Sequence, residues 1–298
     1  MKKRRTIIVC ICILAAAAFT LALALPKKSY AAIGRNARKH YVEYETRHSD
    51  PQDEPAKDED DDSSEFWFPV PEGYLNKKTD EKKYVSSINP DDTPEQWDAL
   101  EDAVQMREVS QIPADILETV SPDELVLYCM NYNLFDDMFV YESMLEGFDV
   151  VKQDYDGLQL LAAREDAGTV LVNLYKAYKL NDQSQLDRYA CLRLDYLETM
   201  LAQPEILAKL TDEQCRELAA ECYNKATQIM NARNDEYGIT QALYLGLKSL
   251  MRADSEFARI VNGSDGARTF AETGVLVPRK ISDADLGAMA ARVRLVIG

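Results

Sequence analysis

One punctuation mark recurs along this chain: a serine or threonine followed three residues later by an acid or an amide. It stands at Thr93-Pro94-Glu95-Gln96, Ser121-Pro122-Asp123-Glu124, Thr211-Asp212-Glu213-Gln214 and Ser282-Asp283-Ala284-Asp285. A hydroxyl at the N-cap accepts from a backbone N–H of the first turn and the third residue reaches back, so each stretch is a capping box that starts a helix. In two of them proline takes the first helical position, where its missing N–H is not needed.

Between these starts the apolar residues keep helical spacing. Trp97, Leu100 and Val104 make one stripe, Leu125, Cys129 and Tyr132 a second, and Met138, Tyr141, Leu145 and Phe148 a third. The pattern continues through Val170, Leu171, Leu174, Tyr175 and Tyr178, then through Leu186, Tyr189, Ala190, Leu194 and Leu197. Leu218, Ala219, Cys222, Ala226 and Ile229 mark a long helix, and Leu243, Leu247, Leu250, Phe257 and Val261 another, ended by Asn262-Gly263. Gly274-Val275-Leu276-Val277-Pro278 alone reads as extended, and it is too short to make a sheet. The expectation is an all-α, irregular multi-helix bundle over 93–298, with no fixed-period repeat of the tetratricopeptide or ankyrin kind.

The N-terminus reads as an address. Lys2-Lys3-Arg4-Arg5 precedes an uncharged run from Thr6 to Pro26, the pattern of an export signal. Its apolar core, Ile7 to Leu25, exceeds the roughly 7–15 residues of an ordinary signal core and is long enough to span a bilayer. Residues 1–32 are therefore either a signal peptide, cleaved after Ala22-Leu23-Ala24 or Ser29-Tyr30-Ala31, or an uncleaved membrane anchor. No cysteine follows either site, which argues against a lipoprotein. The expected location is extracellular or at the cell surface.

The net charge is −17, although residues 1–32 contain only basic charges. Such acidity repels nucleic acid and anionic lipid and favours basic partners or cations, so a nucleic-acid role is disfavoured. Residues 33–92 read as an acidic, disordered linker. Lys57-Asp58-Glu59-Asp60-Asp61-Asp62-Ser63-Ser64-Glu65 is its most charged part, and it lacks the glycine and terminal glutamate of an EF-hand calcium loop. Phe66-Trp67-Phe68-Pro69-Val70-Pro71 follows. Its aromatics, Phe66, Trp67 and Phe68, either fold back onto their own domain or dock a partner.

The inventory excludes several chemistries. The two histidines, His40 and His48, lie in the linker, so the helical part has no imidazole for a Ser-His-Asp or Cys-His nucleophile, a His-ligated zinc or a two-histidine iron site. No GxGxxG or GxxxxGK[ST] loop occurs. The sequence names no cofactor and no metal.

Four cysteines follow the signal: Cys129, Cys191, Cys215 and Cys222. Cys215 and Cys222 are about 10.5 Å apart along one helix, beyond disulfide reach, and share a narrow stripe with Ala219 and Ala226 that invites close packing. They and Cys129 read as buried structural thiols. Cys191 falls among Asp187, Asp195 and Glu198, opposite the apolar stripe, and so reads as an exposed thiol able to link two chains in a dimer.

Glu142, Glu146 and Asp149 are candidate binding residues. At spacings of four and three they share one helix face if the helix starts near Asn133, with Asp136 and Asp137 in its first turn. The readings are a solvated face, a contact for a basic partner or cation, and a catalytic carboxylate pair.

Ile112-Pro113, Ser121, Leu125, Asn131-Tyr132, Tyr141, Gly147-Phe148, Gly157-Leu158-Gln159 and Arg164-Glu165-Asp166-Ala167 carry a resemblance. The segment over about 110–180 resembles a helical unit of exported bacterial proteins with no assigned activity. The likeness implies export and a helical fold and brings no catalytic residues. Longer members continue into a module with an Asn-Cys-His stretch that this chain does not have, so the resemblance implies that it lacks that module's role. Physically, Gly147 permits close approach of a neighbour, Gly157 is expected in a turn with positive φ, and Asp166 is expected to cap the helix at Ala167. The functional expectation is a non-catalytic binding module of the bacterial envelope, with a protein or envelope component as partner; the alternative is a small lysozyme-like hydrolase using carboxylates.

Overall fold

Thr211 and Gln214 close a reciprocal capping box: the Gln214 N–H donates to Thr211 Oγ1 at 3.2 Å and the Thr211 N–H to Gln214 Oε1 at 2.9 Å. Ser121 and Ser282 also accept from the third residue of their helices, Glu124 and Asp285. Thr93 does not: its hydroxyl turns back to Asn89, donating to that residue's carbonyl and accepting from its N–H. These bonds come from a computed structural model, which describes residue 68 and residues 70–75, 84–90, 92–179, 188–231 and 239–297. The signal segment, the acidic run, Phe66, Trp67, His40 and His48 lie outside the described residues.

The architecture is all-α, as the punctuation and periodicity predict. In chain order the helices are α1 (Pro94–Asp98), α2 (Ala103–Val109), α3 (Ala114–Leu117) and α4 (Pro122–Met130), then a 3-10 turn over Phe135–Val140. Next come α5 (Met144–Asp154), α6 (Asp156–Ala163), α7 (Ala167–Ala177), α8 (Arg188–Leu201) and α9 (Pro204–Leu207). The last are α10 (Asp212–Asn231), α11 (Ile239–Ala253), α12 (Ser255–Gly263), α13 (Asp265–Thr273) and α14 (Asp283–Val296). Among the described residues no helix is long and apolar enough to cross a membrane.

The long helices α10 and α11 lie side by side over most of their length. The small stripe on α10 makes this possible: a Cβ added to Gly246 of α11 would sit 3.4 Å from Cys222 Cβ and 3.9 Å from the Ala219 carbonyl oxygen. Helix α8 occupies the middle of the bundle and touches α4, α5, α7, α9 and α11. Its surroundings correct the reading of Cys191, which is fully buried, as are Glu198 and, nearly so, Asp195. A helix packed on so many sides keeps little surface for water, so Asp195, Glu198 and Thr199 are buried and Arg193 is only partly exposed. Cys129, Cys215 and Cys222 are buried as expected, and none of the four thiols is in a disulfide.

Several details differ from the sequence reading. The expected helix from Leu243 to Val261 breaks at Asp254, whose carboxylate caps α12 by accepting from the Phe257 N–H at 2.6 Å and is gripped by Arg292 of α14 at 2.6 and 2.9 Å. Asp166 does not cap α7; its carboxylate pairs with the Arg164 guanidinium instead. The linker expected over 33–92 loses part of its C-terminal end to the domain: Phe68 and Tyr84 are core residues, and Val70, Tyr74 and Leu75 pack against that core. The Phe68 N–H donates to Asn131 Oδ1 at 2.6 Å and its ring stacks on Tyr178, 5.2 Å between centroids. Large apolar side chains leave water wherever a wall is offered. Phe68 is therefore part of the fold and not a free docking element.

Candidate functional site: a cleft walled by the 84–87 segment, α2 and α3

Glu142, Glu146 and Asp149 do not share a helix face. Their helix, α5, begins at Met144 with Ser143 as its cap, accepting from the Glu146 N–H at 3.2 Å. Residues 135–140 form a 3-10 turn instead of the start of α5, so Glu142 lies in the connection before it. Glu146 is exposed in the first turn, where the positive end of the helix favours an acid. Asp149 is exposed and lies 3.5 Å from the Lys152 ammonium, which also pairs with Glu205 at 2.9 Å. The three carboxylates are thus separated: Glu142 precedes the helix, Glu146 stands in its first turn and Asp149 pairs with Lys152.

A concave feature of the described surface lies elsewhere. A cleft of about 430 Å³ opens where the 84–87 segment, the end of α2, the start of α3 and the end of α4 meet. Its floor is Ile112 with the rings of Tyr128 and Tyr155, and it reaches solvent at Ser87, Glu108 and Pro113. Ile112, Pro113 and Asn131 come together in this one place.

Local bonds hold each wall. Asn89 folds the entry segment, its Nδ2 donating to the Ser86 carbonyl at 2.8 Å and its Oδ1 accepting from the Asp92 N–H at 2.7 Å. Asn133 ties that segment to α2, donating from Nδ2 to the Ile88 carbonyl at 3.1 Å and to Ser110 Oγ at 3.3 Å. Gln111 joins α2 to the α5–α6 corner: its Nε2 donates to the Arg107 and Asp154 carbonyls and its Oε1 accepts from the Asp156 N–H. Tyr155 stacks on Tyr132, 4.0 Å between centroids, and donates its hydroxyl to the Tyr128 carbonyl. Gly157 is needed here for its missing side chain and not for positive φ, because it is helical and a Cβ would lie 2.7 Å from the Tyr155 ring and 2.8 Å from Ile112 Cδ1.

The electrostatics of the cleft are sparse. Glu108 is the one charged side chain lining it, and it is exposed. Among the described residues, Asp136 and Asp137 of the 3-10 turn are raised by burial first, and Glu198 is held well above the usual carboxylate range by burial first and by neighbouring Asp195 second. The Tyr175 hydroxyl bonds it at 2.6 Å, and the Lys225 ammonium sits 4.8 Å over the Tyr175 ring. This cluster is enclosed between α7, α8 and α10 and does not line the cleft. Among the described residues no group of three or more His, Cys, Asp or Glu side chains is placed to hold a metal ion.

No family model matches this chain, and no curated protein or solved structure matches it. The cleft and the buried cluster are therefore judged on their own chemistry. Sequence reasoning missed both. The one signal for the cluster was an acid pair, Asp195 and Glu198, inside a stretch otherwise rich in leucine, tyrosine and methionine. The cleft had none, because its entry wall falls in residues whose composition reads as linker.

Proposed function

We propose that this protein is an exported, surface-tethered, acidic binding module of the bacterial envelope, and that its ligand enters the cleft between the 84–87 segment, α2 and α3. The N-terminal signal pattern and the acidic spacer support the location. One observation carries the binding reading: a cleft in the size range of ligand sites whose lining provides a single acid, Glu108. Hydrolysis of a glycosidic bond by carboxylates takes two acids flanking the bond, one of them with a raised pKa. None of the carboxyls with a raised pKa, Asp136, Asp137 and Glu198, lines the cleft.

The test is affinity capture from the envelope of the producing cell, with the full chain and an Ile116→Trp variant of equal melting temperature as baits, beside fractionation of the cell. Ile116 lines the cleft and is only half-buried, so the larger side chain fills the opening. An envelope component retained by the parent and lost by the variant is the expected result. Recovery of the protein in the cytoplasm, equal capture by both baits, or turnover of cell-wall glycan by the parent would overturn the proposal.

A further inference from the structure

We infer that the cleft takes a large apolar side chain presented on a basic peptide; this rests on the cleft being the ligand site. The argument starts from the hydrogen bonds already made inside it. Ser86 Oγ donates to the Val109 carbonyl at 2.6 Å, and Ser110 Oγ donates to the Met106 carbonyl at 2.7 Å while accepting from Asn133. Asn131 uses its oxygen on the Phe68 N–H and its nitrogen on the Leu127 carbonyl, and Gln111 is engaged through both ends of its amide. These polar groups build the walls and are committed to them. A ligand recognised through a dense set of directed hydrogen bonds, as a glycan is, would find these side chains in use and would meet exposed polar side chains at the mouth in Ser87 and Glu108. What the lining still offers is contact area: Val85, Val109, Ile112 and Ile116 with the rings of Tyr128 and Tyr155. Burying apolar surface against such walls is the available source of affinity.

The charge at the rim selects the flanks. Glu108 lines the mouth and is exposed; Asp115 on α3 and Glu118 just past its end are exposed acids flanking Ile116 in the chain, although they do not line the cleft themselves. The nearest cation of α2, Arg107, is paired with Asp154 at 3.3 Å. In a chain of net charge −17 this rim draws lysine or arginine and repels acidic segments and anionic lipid.

The experiment measures fluorescence anisotropy of three labelled hexapeptides against the full chain: one alternating lysine with phenylalanine, one with serine for each phenylalanine, and one with glutamate for each lysine. The lysine–phenylalanine peptide is expected to bind at least about tenfold more tightly than either control. Glu108→Gln is expected to weaken it about two- to fivefold and to flatten its salt dependence. Ile116→Trp is expected to abolish it, and Ser87→Trp, at an exposed lining position that a larger side chain does not strain, to weaken it as well. Equal binding of the serine peptide would overturn the apolar anchor, and equal binding of the glutamate peptide the basic flanks. If no peptide binds while envelope capture still depends on Ile116, the inference fails and the cleft reading stands. If neither depends on Ile116, both fail.

Discussion

Tyr175 donates its phenolic hydrogen to Glu198 Oε1 at 2.6 Å, and neither side chain reaches solvent. The other oxygen of Glu198, Oε2, is buried without a hydrogen-bond partner. A buried, unpaired charge costs far more than a buried neutral carboxyl, so burial favours the protonated form of Glu198.

That state has a pH signature. The folded-state pKa of Glu198 lies above its ordinary value of 4.5, raised by burial and by Asp195 on α8, against the opposing influence of Tyr175 on α7 and Lys225 on α10. A raised carboxyl pKa contributes stability that is fully present below the unfolded value and is lost as pH rises through the folded value. Glu198→Gln keeps an acceptor for Tyr175 and removes the titration. Urea midpoints measured from about pH 4 to about pH 9 are expected to fall for the parent relative to the variant as pH rises. Tyr175→Phe is expected to cost about 1–3 kcal/mol by leaving Glu198 Oε1 without its donor.

Gly147 lets α5 press on the 3-10 turn. A Cβ built there would collide with the Met138 carbonyl oxygen and lie 2.7 Å from the carbonyl carbon, backbone atoms that move only if the 135–140 turn moves. Gly147→Ala is expected to destabilise the protein by about 1–3 kcal/mol or more, read as a lower urea midpoint. Gly263→Ala is the matching control, because nothing lies within 4 Å of a Cβ at that position.

The thiols should be silent in the native protein. Cys129, Cys191, Cys215 and Cys222 are all buried, and burial pushes the Cys215 thiol up to about 11, which depletes the reactive thiolate. A thiol-reactive dye is expected to label these positions only in urea, and migration on gels with and without reductant is expected to match. Native labelling of Cys191 would mean that α8 is exposed by opening of the bundle.

The comparison between sequence and structure turns on range. Ser121, Thr211 and Ser282 were legible as caps because a cap is a bond across three residues. Thr93 was misread because Asn89, four residues upstream, offers its hydroxyl a competing pair of bonds. The start of α5 was misplaced for a related reason: Met138, Tyr141, Leu145 and Phe148 are spaced as one helix stripe, yet the Asn133 amide is engaged with Ile88 and Ser110 while Ser143 caps the helix and starts it later. With that start, Glu142 no longer joins Glu146 and Asp149, and the carboxylate face dissolves.

What the sequence determined by itself was the helical class, the narrow stripe of Cys215, Ala219, Cys222 and Ala226 on α10, the burial of its thiols and the need for glycine at Gly147. Each rests on spacing within one element, where 3.6-residue periodicity and capping act. Only the tertiary structure decided that Cys191, Asp195 and Glu198 of α8 are buried, that Phe68 belongs to the core, and that the walls of the cleft meet. Those outcomes depend on pairs far apart in the chain: Tyr175 with Glu198, Tyr84 edge-on to Tyr128 at 5.2 Å, and Phe68 with Asn131, 63 residues away. Local pattern cannot select among such pairings, because each is favoured only after the intervening helices have packed and removed the water that either partner would otherwise keep.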